Sequence, residues 1–116
     1  MRDPHSCART LPRLKQVDGR LAVEDANTKF YEAFMSGSVQ TMDAVWGHGA
    51  HVQCIHPGSQ CIAGREAVME SWKTILAGVR PRAFRIELED VRIQATDTYG
   101  FVTCVEVVDA DDSAGR

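Results

Sequence analysis

The sequence lacks the motifs that would fix a function at once. Its four cysteines form no C-x-x-C pair, which excludes zinc ribbons and thioredoxin-like redox centres. It contains no glycine-rich phosphate loop, G-x-S-x-G elbow or H-E-x-x-H pattern. No apolar run approaches the roughly 18 to 20 residues that span a bilayer, and the N-terminal stretch has no signal-peptide core. We therefore expect no membrane-spanning segment, no metal and no cofactor.

Positive charge is also scarce. The chain carries 13 Lys and Arg against 16 Asp and Glu, a net charge of −3, whereas general nucleic-acid binders are usually basic. We therefore expect no nucleic-acid partner. The 116 residues suffice for one small domain with its own core. A hydrophobic content of 44% and a charged content of 25% are typical of a water-soluble globular protein.

The cysteines stand at positions 7, 54, 61 and 104, and three interpretations of them are open. In a hairpin centred on Pro57-Gly58, Cys54 and Cys61 would face each other, so a cross-strand disulfide is conceivable. A metal site would instead need these thiolates and the His56 imidazole to converge at roughly 2.0 to 2.3 Å, with Cys104 as a further ligand. We favour the third interpretation, in which the thiols are small, reduced and buried in a reducing compartment.

Residues 1–16 are basic and contain two prolines. Three arginines and one lysine stand against a single acidic residue, Asp3. Pro4 and Pro12 are expected to interrupt any helix, which predicts a flexible basic arm over residues 1–16 and one domain over 17–116. The alternative is the remnant of an organellar transit peptide, which is typically Arg-rich and acid-poor. The location therefore stays open between a plastid or another organelle and the cytoplasm.

Two helices are predicted after this arm. From Asp18 to Met35, apolar residues recur at the helical period: Leu21, Val23, Ala26, Phe30, Ala33 and Phe34. Asp18 is the expected N-cap, and Gly37 is the expected residue after the C-terminus. Ser38 can cap a second, short helix, whose apolar side is Val39, Met42, Val45 and Trp46. Both helices are expected to cover the core.

A hairpin and a third helix make up the central stretch, residues 52–77. Val52, Cys54 and His56 alternate, so they share one face of a strand. Pro57-Gly58 indicates a turn, because Pro presets φ and Gly tolerates a positive φ. A helix is predicted to open at Gly64-Arg65, since apolar residues then recur at its period: Val68, Trp72, Ile75 and Leu76.

The last part of the chain predicts two further strands. Phe84, Ile86 and Leu88 alternate with charged residues, but after them the apolar set becomes Val91, Ile93 and Ala95. This change of parity needs an extra residue, so we predict a β-bulge at Glu89-Asp90 that bends the strand. A turn over 96–100 then leads to a strand over 101–108 that is apolar on both faces. The order α-α-β-β-α-β-β suggests an α+β half-barrel with the helices in its concavity.

Several short runs resemble one superfamily. These are Phe30-Tyr-Glu-Ala-Phe-Met-Ser-Gly37, Val45-Trp46, Cys54-Ile-His-Pro-Gly58, Gly64-Arg65 and Ser71-Trp72. Their order and spacing resemble the SnoaL-like branch of the nuclear transport factor 2 (NTF2)-like superfamily, in particular members from plants and algae. The resemblance implies a cone-shaped, strongly bent, mixed or antiparallel sheet wrapped around three helices, with a pocket at its open end. It also implies two more strands than the chain contains.

The resemblance supplies only part of a catalytic set. In the ketosteroid-isomerase branch the general base precedes the proline of the hairpin turn, and here that position holds His56. The tyrosine of the first helix corresponds to Phe30, with Tyr31 one position away. The third group lies on a strand that is not in this sequence. We therefore predict no catalytic residue, and we expect five residues to line the pocket: Tyr31, Trp46, Cys54, His56 and Trp72.

More ordinary roles for some of these residues are also open. His56 can be a structural imidazole bonded to backbone near the turn, and the two tryptophans can fill the core. Two functions follow from these alternatives. The first is a non-catalytic assembly domain, a subunit of a larger complex. In it a protein partner or a second copy, or a longer chain, supplies the missing strands beside the apolar strand 101–108. The second is a binder of a small apolar molecule, or a SnoaL-like or ketosteroid-isomerase-like enzyme, that uses the pocket.

Overall fold

A computed structural model of the protein describes the backbone of residues 5–110 and the side chains of residues 19–109. Its elements are α1 (His5–Ser36), α2 (Val39–Val45), β1 (Gln53–Ile55), β2 (Cys61–Ala63), α3 (Arg65–Ala77), β3 (Phe84–Ala95) and β4 (Gly100–Ala110). The predicted α+β class and the predicted order of elements are confirmed. No helix in the described part of the chain combines the length and apolarity that crossing a bilayer requires.

The strands form two separate two-stranded sheets. β1 and β2 are antiparallel, with Cys54 opposite Ile62 and Ile55 opposite Cys61. β3 pairs with β4, and the four residues that connect them allow only an antiparallel pairing. Within residues 5–110, β4 has no neighbour other than β3, so one of its edges is unpaired.

The chain divides into two compact units. One, which we call the Trp72 region, consists of Lys29–Ile86 with the chain from Val108 onward. The other, which we call the β4 region, consists of the chain up to Thr28 with Glu87–Val107. The predicted boundary between an arm over residues 1–16 and a domain over 17–116 stays a prediction, and residues 1–4 lie outside the described part of the chain.

Helix α1 begins earlier than the sequence indicates. It starts at His5, so Asp18 lies inside the helix, and its predicted role as N-cap is wrong. The helix also continues through Pro12, contrary to the predicted interruption. A proline removes one backbone donor but keeps a helical φ near −65°, so the loss of one hydrogen bond need not end the helix.

The end of α1 and the start of α2 follow their predicted capping residues. Gly37 has a φ of +72°, its N–H donates to Phe34 O, and the Ser38 N–H donates to Ala33 O. This pair of bonds is a Schellman motif, which satisfies the last carbonyls of the helix. Ser38 then caps α2, because its Oγ accepts from Thr41 N at 3.0 Å. The predicted helix end and the predicted cap are confirmed.

The β1–β2 hairpin turns at Pro57-Gly58, as predicted. Ser59 N donates to His56 O at 2.9 Å, and Gly58 has a φ of +79°, which is the geometry of a type II turn. The register nevertheless differs from the prediction by one residue. Because Cys54 lies opposite Ile62, alternation places Cys54 and Cys61 on different faces. The conceivable disulfide between them is therefore excluded in this hairpin, and both thiols are free.

The predicted reversal of parity in β3 is confirmed by exposure. Ile86 is buried and Leu88 half-buried, but beyond Asp90 the more buried positions are Ile93 and Ala95. Asp90 has a φ of +52°, the left-handed conformation that the first residue of one bulge type adopts. The predicted burial of Val91 is wrong, since its side chain is 44% exposed.

Close backbone approaches hold the β4 region together. A Cβ on Gly19 of α1 would lie 2.8 Å from Thr96 O, and one on Gly100 would lie 2.6 Å from a Val23 methyl group. Arg20 Nη1 donates to Ile93 O at 2.6 Å. The α1 segment of this unit therefore contacts the β3–β4 turn through positions where a larger residue than glycine would clash.

The Trp72 region contains the hydrophobic core. Its fully or nearly buried members are Ala33, Met42, Val52, Val68, Met69, Trp72 and Leu76. They come from α1, α2, α3 and the residue before β1, and the predicted apolar stripe of α3 supplies three of them. Helices therefore cover one face of the short hairpin, which positions the candidate site described next.

Candidate functional site

An aromatic cluster lies at the centre of the Trp72 region. Phe30 contacts the rings of Trp46 and Trp72 edge to face, at centroid distances of 6.3 and 5.4 Å. Phe34 contacts Trp72 in the same way at 5.1 Å. Trp46 and Trp72 lie 6.4 Å apart with their planes inclined by 39°. Edge-to-face contacts at these distances are favourable for aromatic rings, so the cluster is well packed.

Arg65 fixes the position of Trp46. Its guanidinium donates to Trp46 O at 2.7 Å and Gly47 O at 2.8 Å, and it contacts both the carbonyl and the carboxylate of Asp43. The carbonyls at the C-terminal end of a helix carry partial negative charge, so a guanidinium at the end of α2 is favourable. The ion pair joins Arg65 Nη2 to Asp43 Oδ1 at 2.7 Å.

His56 lies against the same cluster. Its ring is 5.0 Å from that of Trp72, edge to face, and its Nε2 is 2.9 Å from Ser71 Oγ. Ser71 Oγ donates its one hydrogen to Val68 O at 2.6 Å. The hydroxyl must therefore accept from His56, so Nε2 carries a proton. The predicted alternative, an imidazole bonded to backbone, is wrong, because its partner is the Ser71 hydroxyl.

Cys54 completes this side of the site. Its Sγ lies 3.8 Å from His56 Nδ1 and 3.7 Å from Nε2. Burial raises the pKa of the Cys54 thiol from its ordinary value of 9.0, the nearby Trp72 side chain lowers it, and Cys61 adds a smaller increase. A thiol with a raised pKa is a poor nucleophile at neutral pH. Within residues 19–109, no three His, Cys, Asp or Glu side chains converge as a metal site would require.

Four of the five predicted pocket residues meet in this cluster. They are Trp46, Cys54, His56 and Trp72. Tyr31 is 9% exposed and contacts Phe30, with the two ring centroids 4.9 Å apart. Phe30 in turn contacts the rings of both tryptophans. The family resemblance placed Phe30 at the position of the isomerase tyrosine, but neither Phe30 nor Ser71 was predicted to line the pocket. Phe30 could have been found from its spacing to Phe34, while Ser71 has a role only because α3 packs beside the hairpin turn.

The two indole nitrogens in the cluster are buried without a partner. Neither Trp46 Nε1 nor Trp72 Nε1 has a hydrogen-bond acceptor among the described residues, and both atoms are closed off from solvent. Cys54 Sγ is close enough to Trp72 to affect the thiol pKa, but it does not meet hydrogen-bond geometry, and a thiol sulfur is a weak acceptor. Trp72 as a whole is only 3% exposed. Buried donors without partners are uncommon and call for an explanation.

The polar groups around the cluster are largely engaged with one another. The Nε2 proton of His56 is bonded to Ser71, and the surrounding groups are aromatic rings, the Cys54 thiol and a hydroxyl already bonded twice. Acid–base catalysis of the isomerase type also needs groups that stabilise developing negative charge on the substrate. The indole N–H groups are the donors that the site itself provides.

The chain is similar to a known family over most of its length. The model of the SnoaL-like domain matches residues 23–116. A similar solved structure is a candidate dehydratase of the NTF2-like family from Streptomyces avermitilis. It is 31% identical, with 74% of this chain and 67% of that chain covered and a TM-score of 0.66. No curated protein gives a match.

A second similar structure is a candidate association domain of calcium/calmodulin-dependent protein kinase type II from Thiobacillus denitrificans. It is 30% identical, with 77% of this chain and 69% of that chain covered and a TM-score of 0.68. Both neighbours agree with the NTF2-like fold that the sequence predicted. Their descriptions name two different roles, one enzymatic and one in association, and so do not choose between the two predicted functions.

Proposed function

This chain belongs to the SnoaL-like domain family, and we propose that it acts as an assembly domain, a non-catalytic subunit that joins a larger complex through β4. The observation that carries this proposal is the apolar face of β4. Phe101, Val105 and Val107 share one face by alternation, and they are 49%, 51% and 37% exposed. Thr103 is the one polar residue between them.

The edge of the same strand supports the proposal. Because β4 pairs only with β3 among the described residues, its second edge presents backbone N–H and C=O groups that have no strand partner. Exposed apolar edge strands recruit further strands, and a two-stranded hairpin is marginal on its own in water. The partner that suits both features is a second copy of this chain or another protein that extends the sheet. The association-domain description of one neighbour is in keeping with this role.

The oligomeric state in solution tests the proposal. We expect sedimentation velocity to show a concentration-dependent dimer or larger species at micromolar concentrations. Val105→Lys should shift it to monomer, since a charge on an edge strand opposes strand addition. Gln60→Lys adds the same charge at an exposed position in the hairpin turn and should leave assembly unchanged. A wild-type monomer at all concentrations that captures no defined complex from its native source would contradict the proposal.

A second candidate function has its own observation in favour. The unpartnered indole donors support the prediction that Tyr31, Trp46, Cys54, His56 and Trp72 line a site for a small apolar molecule. The chain has only two tryptophans, so its tryptophan fluorescence reports on this site alone. We expect a saturable fluorescence change on adding such a molecule, and we expect His56→Ala to weaken it. Likeness to plant and algal members of the family stays a prediction.

A further inference from the structure

We infer that the indole N–H groups of Trp46 and Trp72 are hydrogen-bond donors for an uncharged oxygen acceptor on an otherwise apolar ligand. This inference deepens the second candidate function and rests on it. The two indole N–H groups come from different elements, the end of α2 and the middle of α3, yet their rings are neighbours. Both donors are buried and unpartnered among the described residues.

The packing around these rings explains why water is a poor partner for them. A buried water usually makes about three hydrogen bonds, so besides accepting from an indole it needs acceptors for its own hydrogens. The ring neighbours of the two tryptophans are Phe30, Phe34 and His56. A carbonyl, ester or ether oxygen accepts hydrogen bonds and donates none, so it matches a site that contributes donors. The apolar remainder of the ligand then contacts the phenylalanine rings.

Charge selects a neutral acceptor over a carboxylate. A buried anion is costly unless a cation compensates it. Arg65, the cation bonded to the Trp46 carbonyl, is already engaged by Asp43 and by the carbonyls of Trp46 and Gly47. The Nε2 proton of His56 is directed to Ser71. A neutral oxygen avoids the cost of an uncompensated charge.

Closure of the site also has a consequence. Since both nitrogen atoms are closed off from solvent, a ligand reaches them only when neighbouring side chains move. Without a ligand, the two donors lose their hydration and gain no partner, which is destabilising. A ligand that supplies the acceptor should therefore raise the melting temperature as well as change the fluorescence.

The test uses three probes of similar size with the intact 116-residue chain: acetophenone, ethylbenzene and benzoate. Acetophenone carries a neutral carbonyl, ethylbenzene replaces it with a methylene group, and benzoate is charged. Binding is followed by tryptophan fluorescence and by the two indole N–H signals in a ¹H–¹⁵N spectrum. We expect acetophenone to bind about tenfold more tightly than ethylbenzene, the ratio for one buried hydrogen bond, and to move both indole signals downfield. We expect benzoate to bind more weakly than acetophenone.

Two variants localise the effect. Trp46→Phe and Trp72→Phe each keep an aromatic ring and remove one donor, so each should reduce the preference for acetophenone over ethylbenzene. Thermal melts check that each variant is folded, and Trp46→Phe is the milder change because Trp46 is only half-buried. If one variant fails to fold, the comparison of probes on the wild type still decides the question.

The outcomes separate this inference from the function on which it rests. Equal affinity for acetophenone and ethylbenzene, with unmoved indole signals, would overturn the acceptor site but leave an apolar binding protein. Tighter binding of benzoate would overturn the assignment of a neutral acceptor. If no probe binds, and the indole protons exchange magnetisation only with a long-lived internal water, both the acceptor site and the apolar binding function are overturned.

Discussion

The Trp72 region and the β4 region differ in how completely they bury their apolar side chains. Every residue of the buried core lies between Lys29 and Ile86, within the Trp72 region. In the β4 region many of the large apolar side chains are exposed instead, namely Leu21, Val91, Tyr99, Phe101, Val105 and Val107. Others there, such as Val23, Leu88 and Ile93, are only half-buried. Helices packed on one face of the short β1–β2 hairpin are therefore enough to close a core. The longer β3–β4 hairpin does not bury its apolar side chains merely by being longer.

A matched pair of truncations gives the largest expected contrast between the regions. Leu76→Ala removes a side chain that is 2% exposed, so we expect it to lower the free energy of unfolding by about 2 to 5 kcal/mol. Leu21→Ala makes the same chemical change at a side chain that is 57% exposed, and it should cost less than about 0.5 kcal/mol. Urea unfolding followed by circular dichroism measures both. Similar losses at the two positions would mean that the β4 region has a core of its own.

Among the described residues, each region contains an arginine–aspartate ion pair, which allows a second contrast. The Arg65 side chain is 20% exposed and bonds several groups, whereas that of Arg92 is 74% exposed and meets Asp90 at 3.2 Å. Arg65→Met should therefore lower the free energy of unfolding by about 1.5 to 3 kcal/mol. Arg92→Met should cost less than about 1 kcal/mol. The expected difference in melting temperature should persist at high salt, because exposed pairs are screened and partly buried hydrogen bonds are much less so.

The irregular residue of β3 gives a smaller effect. Asp90 has a φ of +52°, a conformation that β-branched residues strongly disfavour. We expect Asp90→Val to lower stability by about 1 to 2 kcal/mol and Asp90→Gly to be close to neutral. Glu89→Val is the control, since Glu89 is equally exposed and has a negative φ. Equal melting temperatures for the two valine variants would argue against a bulge at Asp90.

The smallest effect is a dependence on alkaline pH that belongs to the Trp72 region. Burial raises the pKa of the Cys54 thiol above its ordinary value of 9.0. The unfolded chain therefore loses this proton at lower pH than the folded chain, so stability should fall as pH rises above 9.0. Cys54→Ala should remove that part of the decline. In folded wild type, the midpoint pH for alkylation of Cys54 by iodoacetamide should exceed the midpoint measured in guanidinium chloride.

Much of the fold could be predicted because it depends on local rules. Gly37 and Ser38 end one helix and begin the next through backbone geometry and a side-chain cap, and both are readable from residue type. Pro57-Gly58 specifies its turn for the same reason. The reversal of parity around Asp90 is visible because alternation is a property of a few neighbouring residues. The predicted pocket residues were also mostly brought together, since four of them lie on the predicted hairpin face, on the core side of α3 or at the end of α2.

The errors arose where a choice depends on more than the type of a single residue. Pro12 was expected to stop a helix. Whether a proline does so depends on whether the rest of the helix is stable enough to offset one lost hydrogen bond, and residue type alone does not reveal that stability. The register of the hairpin differs by one residue from that assumed, which moves Cys61 to the other face from Cys54. The partner of His56 was expected to be backbone and is Ser71, 15 positions away in the chain.

The sequence by itself determined the class of fold, the order of its elements and most of the residues that form the core of the Trp72 region. These follow from periodicity, capping and turn chemistry, which act over a few residues at a time. Only the tertiary structure decided which of Phe30 and Tyr31 contacts the tryptophans, which carboxylate Arg65 bonds, and that both indole donors are left without an acceptor. These features depend on where side chains from separate elements meet, and hydrogen bonding in a buried site depends on differences of a few tenths of an ångström that no local pattern specifies.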